Sequence, residues 1–376
     1  MKPAIASTQL EGLAVPLETP GPPESIARRR LRKFRRLKRG YYSFVLLVIA
    51  YVVSFALPLL VNSRALIVRY DGEFYFPMLQ FYPASTFGLD AIGEPAYRQM
   101  RAQFAETGRA NWVLMPPYPY SPTESLLELP GFPPHPPQWP HIFGTDDRGR
   151  DVFARLAYGF NVSLTFAVLV LLLADSVGVL VGALLGYVGG TLDIFGQRLI
   201  EIWSSLPFLY TIIIVSSIVV PVYIPGRNVV TQPSFWLLII ILAIFAWIGI
   251  TYYVRGEFYR EKAKDYVAAA IVTGVSDLAI MGRHILPNSL TPVVSFAPFT
   301  IVANISALVA LDFLGFGLPA PMPSWGELIG QGMENLTKWW LVFFPLGVLF
   351  ATLLLVVFIG EAVREAFDPR EYSRLR

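Results

Sequence analysis

The chain has 376 residues, 54% of them hydrophobic and only 15% charged, with a net charge of +3 and a mean hydropathy of +0.52. Soluble domains carry roughly 25% charged residues, so this balance excludes an ordinary soluble domain and indicates a membrane protein. The absence of cysteine excludes disulfides and thiolate metal sites.

Residues 1–27 are polar, rich in Pro and Ala and free of periodicity, which predicts a disordered tail. The first apolar stretch opens near residue 41 without a small-residue cleavage site, so a secretory signal peptide is not expected. Nine Lys/Arg lie between Arg28 and Arg39. Such a run can bind nucleic acid, but directly before an apolar span it fixes topology, and no nucleic-acid partner is expected.

Six segments reach the length of about 20 residues that crosses a bilayer: roughly 42–61, 162–187, 194–220, 235–255, 289–311 and 340–360. With the N-terminus inside, the inner segments collect Arg28–Arg39, then Arg255, Arg260, Lys262, Lys264 and Arg283, then Arg364, Arg370, Arg374 and Arg376. The short outer loops hold only Arg227 and Lys338, which satisfies the positive-inside rule with both termini cytoplasmic. The expected fold is therefore an all-α membrane protein of six transmembrane helices. It divides into a basic tail (1–40), a first span (41–61), a periplasmic loop (62–161), a core of five spans (162–360) and a cytoplasmic tail (361–376).

The loop 62–161 interleaves ten prolines, from Pro116 to Pro140, with Trp112, Tyr118, Tyr120, Phe132 and Trp139. Prolines this dense exclude long helices and favour extended backbone. A loop of this length is uncommon unless functional or disordered, and its aromatic content argues against disorder. It either caps the membrane domain or docks a soluble partner, two roles that are compatible.

In the second span Ala174, Gly178, Gly182 and Gly186 recur every four residues, a small-residue face for close helix packing. Asp175 adjoins this face at membrane depth, where a carboxylate faces a water-filled path or a partner; lining the pathway and a buried structural hydrogen bond are both open. Arg198 and Glu201, three apart at the start of the third span, can form a local ion pair or a gating contact, and Pro207 beyond them would bend the span. Leu311–Pro319, with Asp312, followed by Pro323–Gly326, needs irregular backbone; at membrane depth that survives only when buried or lining a cavity, as in an outer vestibule or gate.

Between the fourth and fifth spans, about residues 260–284, lies a small-residue segment flanked by charge: Asp265, Tyr266, Val267, Ala268, Ala269, Ala270, then Gly274, Val275 and Ser276. A short helix at a membrane surface has this composition when it docks into a groove on another protein. The dipeptide Gly-Lys never occurs, so no phosphate-binding loop of the Walker type exists, and H-E-x-x-H and G-x-S-x-G are also missing. His135 and His141 lack an acidic cluster nearby in sequence. No catalytic residue, metal site or cofactor is expected in this chain.

These motifs resemble a known family. His141–Val152, carrying Gly144-Thr145-Asp146-Asp147-Arg148-Gly149-Arg150-Asp151, is similar to the G-T-D-x-x-G-R-D signature of dipeptide/oligopeptide ABC-importer permease subunits. Asp265–Asn288 resembles their coupling segment and Leu311–Pro319 their outer turn. Val68–Pro77, the long loop and the ending Gly360–Pro369 resemble the YejE-type branch, associated with oligopeptides and peptide antibiotics such as microcin C. The resemblance implies the type I importer fold in a bacterial inner membrane. It also implies a second permease as partner, ATPase subunits that bind ATP and Mg and receive the helix at Asp265–Val275, and a periplasmic solute-binding protein that delivers peptide. Ala268 stands where many of these permeases have Glu, while Gly274, expected to allow close helix–loop packing, is kept.

Overall fold

The computed structural model describes residues 25–107, 110–219 and 234–367. Most of the expected tail 1–27, the outer-loop Arg227 and the end 368–376 lie outside the described residues.

The basic run folds as helix α1 (Ile26–Arg36), started by the Ser25 hydroxyl, which accepts from the Arg28 amide. At Leu37 the chain turns by 98° into α2 (Lys38–Ser54), followed by the single turn α3 (Leu57–Leu60). The basic part of the expected tail is thus a helix set across the first span.

The expectation of an all-α chain needs one correction. The long loop carries a three-stranded antiparallel sheet, β1 (Ile67–Tyr70), β2 (Glu73–Tyr75) and β3 (Trp112–Leu114), in the order β2-β1-β3. Val68 faces Tyr75 on one side and Val113 on the other. The β1–β2 link is the two-residue turn Asp71-Gly72, both at positive φ (49° and 89°), the turn that matches strand twist. The aromatic and β-branched residues flanking an Asp-Gly pair carried that signal in sequence. Helix α4 (Tyr97–Thr107) packs on β3, and Val68, Phe87, Tyr97, Met100 and Val113 form a core belonging to this outer unit.

Helix α5 (Val152–Val188) is the axis of the membrane part, packing against α2, α8, α9 and α13. It begins at Val152, ahead of the apolar stretch at 162, because its first turns bury against the outer segments. Next come α6 (Gly190–Ser204) and α7 (Phe208–Val219), bent by 76° at the break before Pro207–Phe208, then α8 (Phe235–Ala246) and α9 (Ile248–Lys262), bent by 45°. A hairpin of α10 (Asp265–Val272), the short turn α11 (Asp277–Ala279), a π-helical turn (Ile280–Ile285) and α12 (Leu286–Ser289) leads into α13 (Thr291–Phe313). Helices α14 (Trp325–Glu334) and α15 (Trp340–Phe367) complete the chain.

Among the described residues, α5, α13 and α15 are each long and apolar enough to cross a membrane; the bent pairs α1–α2, α6–α7 and α8–α9 raise the total to as many as six. Polar side chains join the helices inside this layer. Tyr51 and Thr165 hydroxyls meet at 2.9 Å, Asn161 donates to Ser54 at 2.8 Å, and Asn304 donates to the Ala167 carbonyl at 3.1 Å. Such bonds are worth about 0.6 kcal/mol each on average in a membrane bundle, so they select register rather than supply stability.

Candidate functional site

The hairpin between α9 and α13 is shaped by α10 and by the turn that ends it. Asp265 begins α10, where a carboxylate favours the positive end of the helix dipole. The helix ends on Thr273, and Gly274 takes φ +77°. The Gly274 amide donates to the Ile271 carbonyl (3.0 Å) and the Val275 amide to the Ala270 carbonyl (3.1 Å), the paired bonds of a Schellman cap. A Cβ on Gly274 would meet nothing within 4 Å of this chain, so within the chain the glycine answers to its left-handed backbone and not to close packing.

The inner face of α10 is anchored. Val267 and Ala270 are buried with Val254 and Phe258 of α9, Ala183 and Tyr187 of α5, and Ile280 and Ile285 of the π-turn, with Val275 packed alongside. Glu261, buried at the end of α9, accepts from Lys264 Nζ (2.6 Å) and the Tyr266 hydroxyl (2.8 Å). The Tyr187 hydroxyl donates to Asp277 at 2.5 Å, and Lys262 Nζ donates to the Tyr187 carbonyl. The Glu261 and Asp277 bonds run from the hairpin to α9 and to the end of α5, and the Lys262 bond ties α9 to α5 beside them.

The outer face of the hairpin is bare. Asp265, Tyr266, Ala268, Ala269, Gly274 and Ser276 are exposed, as are Ile271 (52%), Val272 (87%) and Leu278 (82%). A small projection with three large aliphatic residues in the open, rimmed by polar groups, has the composition of an interaction surface.

From the hairpin, α9 runs along α5 on a seam of glycines. A Cβ on Gly182 would stand 2.7 Å from the Thr251 carbonyl oxygen, and one on Gly186 2.6 Å from the Arg255 carbonyl oxygen; Gly178 is as tight against Ile250 and the Trp247 carbonyl. Backbone meets backbone here, as the four-residue spacing predicts. A second tie, which sequence reasoning missed, joins α6 to α9. Buried Asp193 accepts from Arg255 Nε (2.5 Å) and Nη2 (2.6 Å) and from the Tyr259 hydroxyl (2.7 Å). The available signal was an acid in a short inter-span link with no opposite charge within a helical turn.

At the opposite end of α5 the G-T-D-x-x-G-R-D run builds a buried polar knot. Asp151 caps α5 by accepting from the Ala154 amide (2.8 Å), and its other oxygen receives the Tyr118 hydroxyl (2.7 Å) and His141 Nδ1 (2.8 Å). Burial, then the Asp151 charge, raises the Tyr118 phenol and keeps it protonated. Asp146 receives the Arg148 and Arg150 amides and Arg150 Nε (2.7 Å), with Arg155 Nε at 3.5 Å. Both arginines also reach Glu327 on α14, Arg150 at 3.0 Å. Burial pushes the Glu327 carboxyl up, but Arg155 and Arg150 outweigh it and hold the group below its ordinary 4.5. Gly144, at φ +73°, lets Trp340 Nε1 approach and donate to the Thr145 carbonyl at 3.1 Å.

The remaining expected residues fall apart from one another. Arg198 and Glu201 pair at 2.6 Å on an exposed face of α6. Asp312 is buried at the end of α13, where it accepts from the Leu318 amide (2.6 Å) and the Ser324 hydroxyl (2.5 Å) and so closes the outer turn. Asp175 is half-buried on α5 and lines an apolar groove between α2, α5, α13 and α15. Among the described residues no group of three His, Asp or Glu could hold a metal ion.

Residues 178–371 match the family described as "Binding-protein-dependent transport system inner membrane component". Over 347 residues the chain is 40% identical to the inner membrane ABC transporter permease protein YejE of Escherichia coli (strain K12), covering 91% of this chain and 96% of that one. It is 36% identical to the peptidoglycan transport system permease protein YejE of Agrobacterium fabrum, over 92% and 94% of the two chains. It is also 36% identical to the oligopeptide transport system permease protein OppC of Haemophilus influenzae, over 61% and 71%. Among solved structures, the MetNI methionine ABC transporter in an inward-facing conformation aligns with a TM-score of 0.45 at 20% identity, over 57% of this chain and 96% of that chain.

Proposed function

This chain belongs to the binding-protein-dependent transport system inner membrane components, and on that premise we propose that it is the permease subunit of an ATP-driven peptide importer. Peptide is the chemistry common to the oligopeptide and peptidoglycan cargoes named for its relatives, and a microcin C-like peptide antibiotic falls within it. The chain crosses the membrane six times with both termini cytoplasmic, and the sheet-bearing segment faces the periplasm, where a solute-binding protein delivers cargo. A second permease completes the path. ATP and Mg are held by separate ATPase subunits, and this chain carries out no hydrolysis.

The single observation that supports this reading is the α10 hairpin: bare on one face, with Val272 and Ile271 exposed, and tied on the other to α9 and α5. Closure of the ATPase subunits displaces the hairpin. The Schellman cap and the Glu261 bonds carry that displacement into α9, and the glycine seam passes it to α5. Asp265, Tyr266, Val267, Ala268, Ala269, Ala270, Gly274, Val275 and Ser276 form the contact and its support. Arg198, Glu201 and Asp312 are assigned to the pathway and its gates, Asp312 through the outer turn it closes; Asp175, the other pathway candidate, takes the second role open to it and supports the bundle from the wall of the α2–α5–α13–α15 groove.

The test is the complex reconstituted in liposomes with its second permease, ATPase subunits and binding protein. Val272→Asp places a charge on the bare face without touching the buried one. ATP-dependent peptide uptake should fall to background while the two permeases still co-purify. Undiminished uptake by this variant, or uptake by the chain alone, would overturn the reading.

A further inference from the structure

The 98° turn at Leu37 sets α1 across the axis of α2, which on the proposed topology lays it along the inner surface of the membrane. Its outward side and the start of α2 present Arg28, Arg29, Arg35, Arg36, Lys38 and Arg39 to solvent. Its inward side is docked. Phe34 meets Tyr41 and Phe44 edge-on at 6.2 and 5.8 Å, and Arg30 lies 4.5 Å over the Phe367 ring of α15, with Nη2 3.5 Å from Thr291 Oγ1 of α13. Helix α1 therefore roofs a groove of about 1410 Å³ between α2, α5, α13 and α15, with Arg30 at its rim, the Asp175 carboxyl on the α5 wall away from that rim, and apolar walls that include Phe44, Val48, Leu172, Val294 and Ile359. Val48, Leu172 and Val294 remain exposed in it, so the four helices leave the groove unfilled.

We propose that this groove is a binding site for an anionic phospholipid of the inner leaflet, its acyl chains along the apolar walls and its phosphate between Arg30 and the exposed basic residues of α1. Charge selects this occupant. A clustered basic helix beside a span is attracted to anionic headgroups, and the groove under it is apolar with Arg30 at its mouth, which suits acyl chains below and a phosphate at the rim. A transmembrane helix of a second subunit does not fit the same mouth. Its cytoplasmic flank carries Lys and Arg by the positive-inside rule, and would meet nine like charges between Arg28 and Arg39.

The test uses the assembled transporter in phosphatidylcholine nanodiscs with and without phosphatidylglycerol, followed by native mass spectrometry of the extracted complex. Retained phosphatidylglycerol, in preference to phosphatidylcholine, is expected. Each basic residue near the surface contributes about fivefold, the equivalent of about 1 kcal/mol, so Arg29→Gln with Arg36→Gln should cut that preference about 25-fold. Val294→Trp, which fills the groove and leaves every charge in place, should abolish retention of either lipid. Because the chain has no cysteine, Val48→Cys gives a unique thiol for a separate measurement that needs no loss of fold. It should be labelled by a maleimide carried on an acyl chain and not crosslink to the second permease. A complex that retains no phospholipid, retention indifferent to the double charge variant, or efficient crosslinking of Val48→Cys to the second permease would overturn the proposal.

Discussion

The two ends of α5 are built on opposite principles. At its outer end Asp146, Arg150, Arg155 and Glu327 exchange charge-assisted bonds in a site from which water is nearly excluded, and Asp151 fixes the helix start to Tyr118 and His141. At its inner end, 37 residues and about 55 Å away, a tyrosine–aspartate bond to α5, the Glu261 bonds to α9 and an apolar patch hold a hairpin whose other face is open. A buried ionic knot has one arrangement and collapses when a member is lost; non-directional apolar contact tolerates being moved. The difference separates a fixed outer frame from a displaceable inner handle.

The most damaging way to break that contrast is Asp146→Ala, which removes one of the two carboxylates that buried Arg150 and Arg155 share and leaves them Glu327 alone. A cost of about 3–5 kcal/mol is expected, seen as a large drop in thermal unfolding temperature in detergent. A variant as stable as the parent would show that the outer end is not fixed by charge. Next is Gly182→Leu, whose added atoms meet the Thr251 carbonyl across the α5–α9 seam. It should destabilise by about 1–3 kcal/mol and reduce peptide uptake more than ATPase docking. Gly274 sharpens the inner end. Gly274→Val should cost about 1–2 kcal/mol through its left-handed backbone and uncouple hydrolysis from uptake, whereas Gly274→Asn, which tolerates that backbone, should keep most of the coupling. Equal loss in both would restore a packing role for the glycine. The mildest effect is with pH. The folded state holds Glu327 below 4.5, so its contribution is fully present above that value and disappears as pH falls through the depressed folded value. Thermal scans on either side of 4.5 should show an acid-induced loss in the parent that is smaller in Glu327→Gln.

The sequence announced the long apolar helices, the glycine face of α5 and the hairpin at Asp265, because composition and four-residue spacing are local properties. It also marked the bend at Pro207. What it concealed were the ties between distant positions. Arg155 and Glu327 lie 172 residues apart and Asp193 and Arg255 62 apart, and no periodicity relates them. The G-T-D-x-x-G-R-D run was visible as a motif, but its role as the frame of the outer end depends on partners supplied by α14 and by the proline-rich segment. Helix α1 was hidden for another reason. Arginine and lysine are good helix formers, yet a dense basic run draws attention to charge, and only the docking of Phe34 and Arg30 shows that the run has an inner side.

The glycine seam between α5 and α9 has one more consequence. Where helices touch through long side chains, a push on one can be dissipated by rotamer changes before the other responds. Gly178, Gly182 and Gly186 leave no such slack, because backbone meets backbone along the seam, and on the proposed coupling a shift begun at the α10 hairpin should reach α5 undiminished.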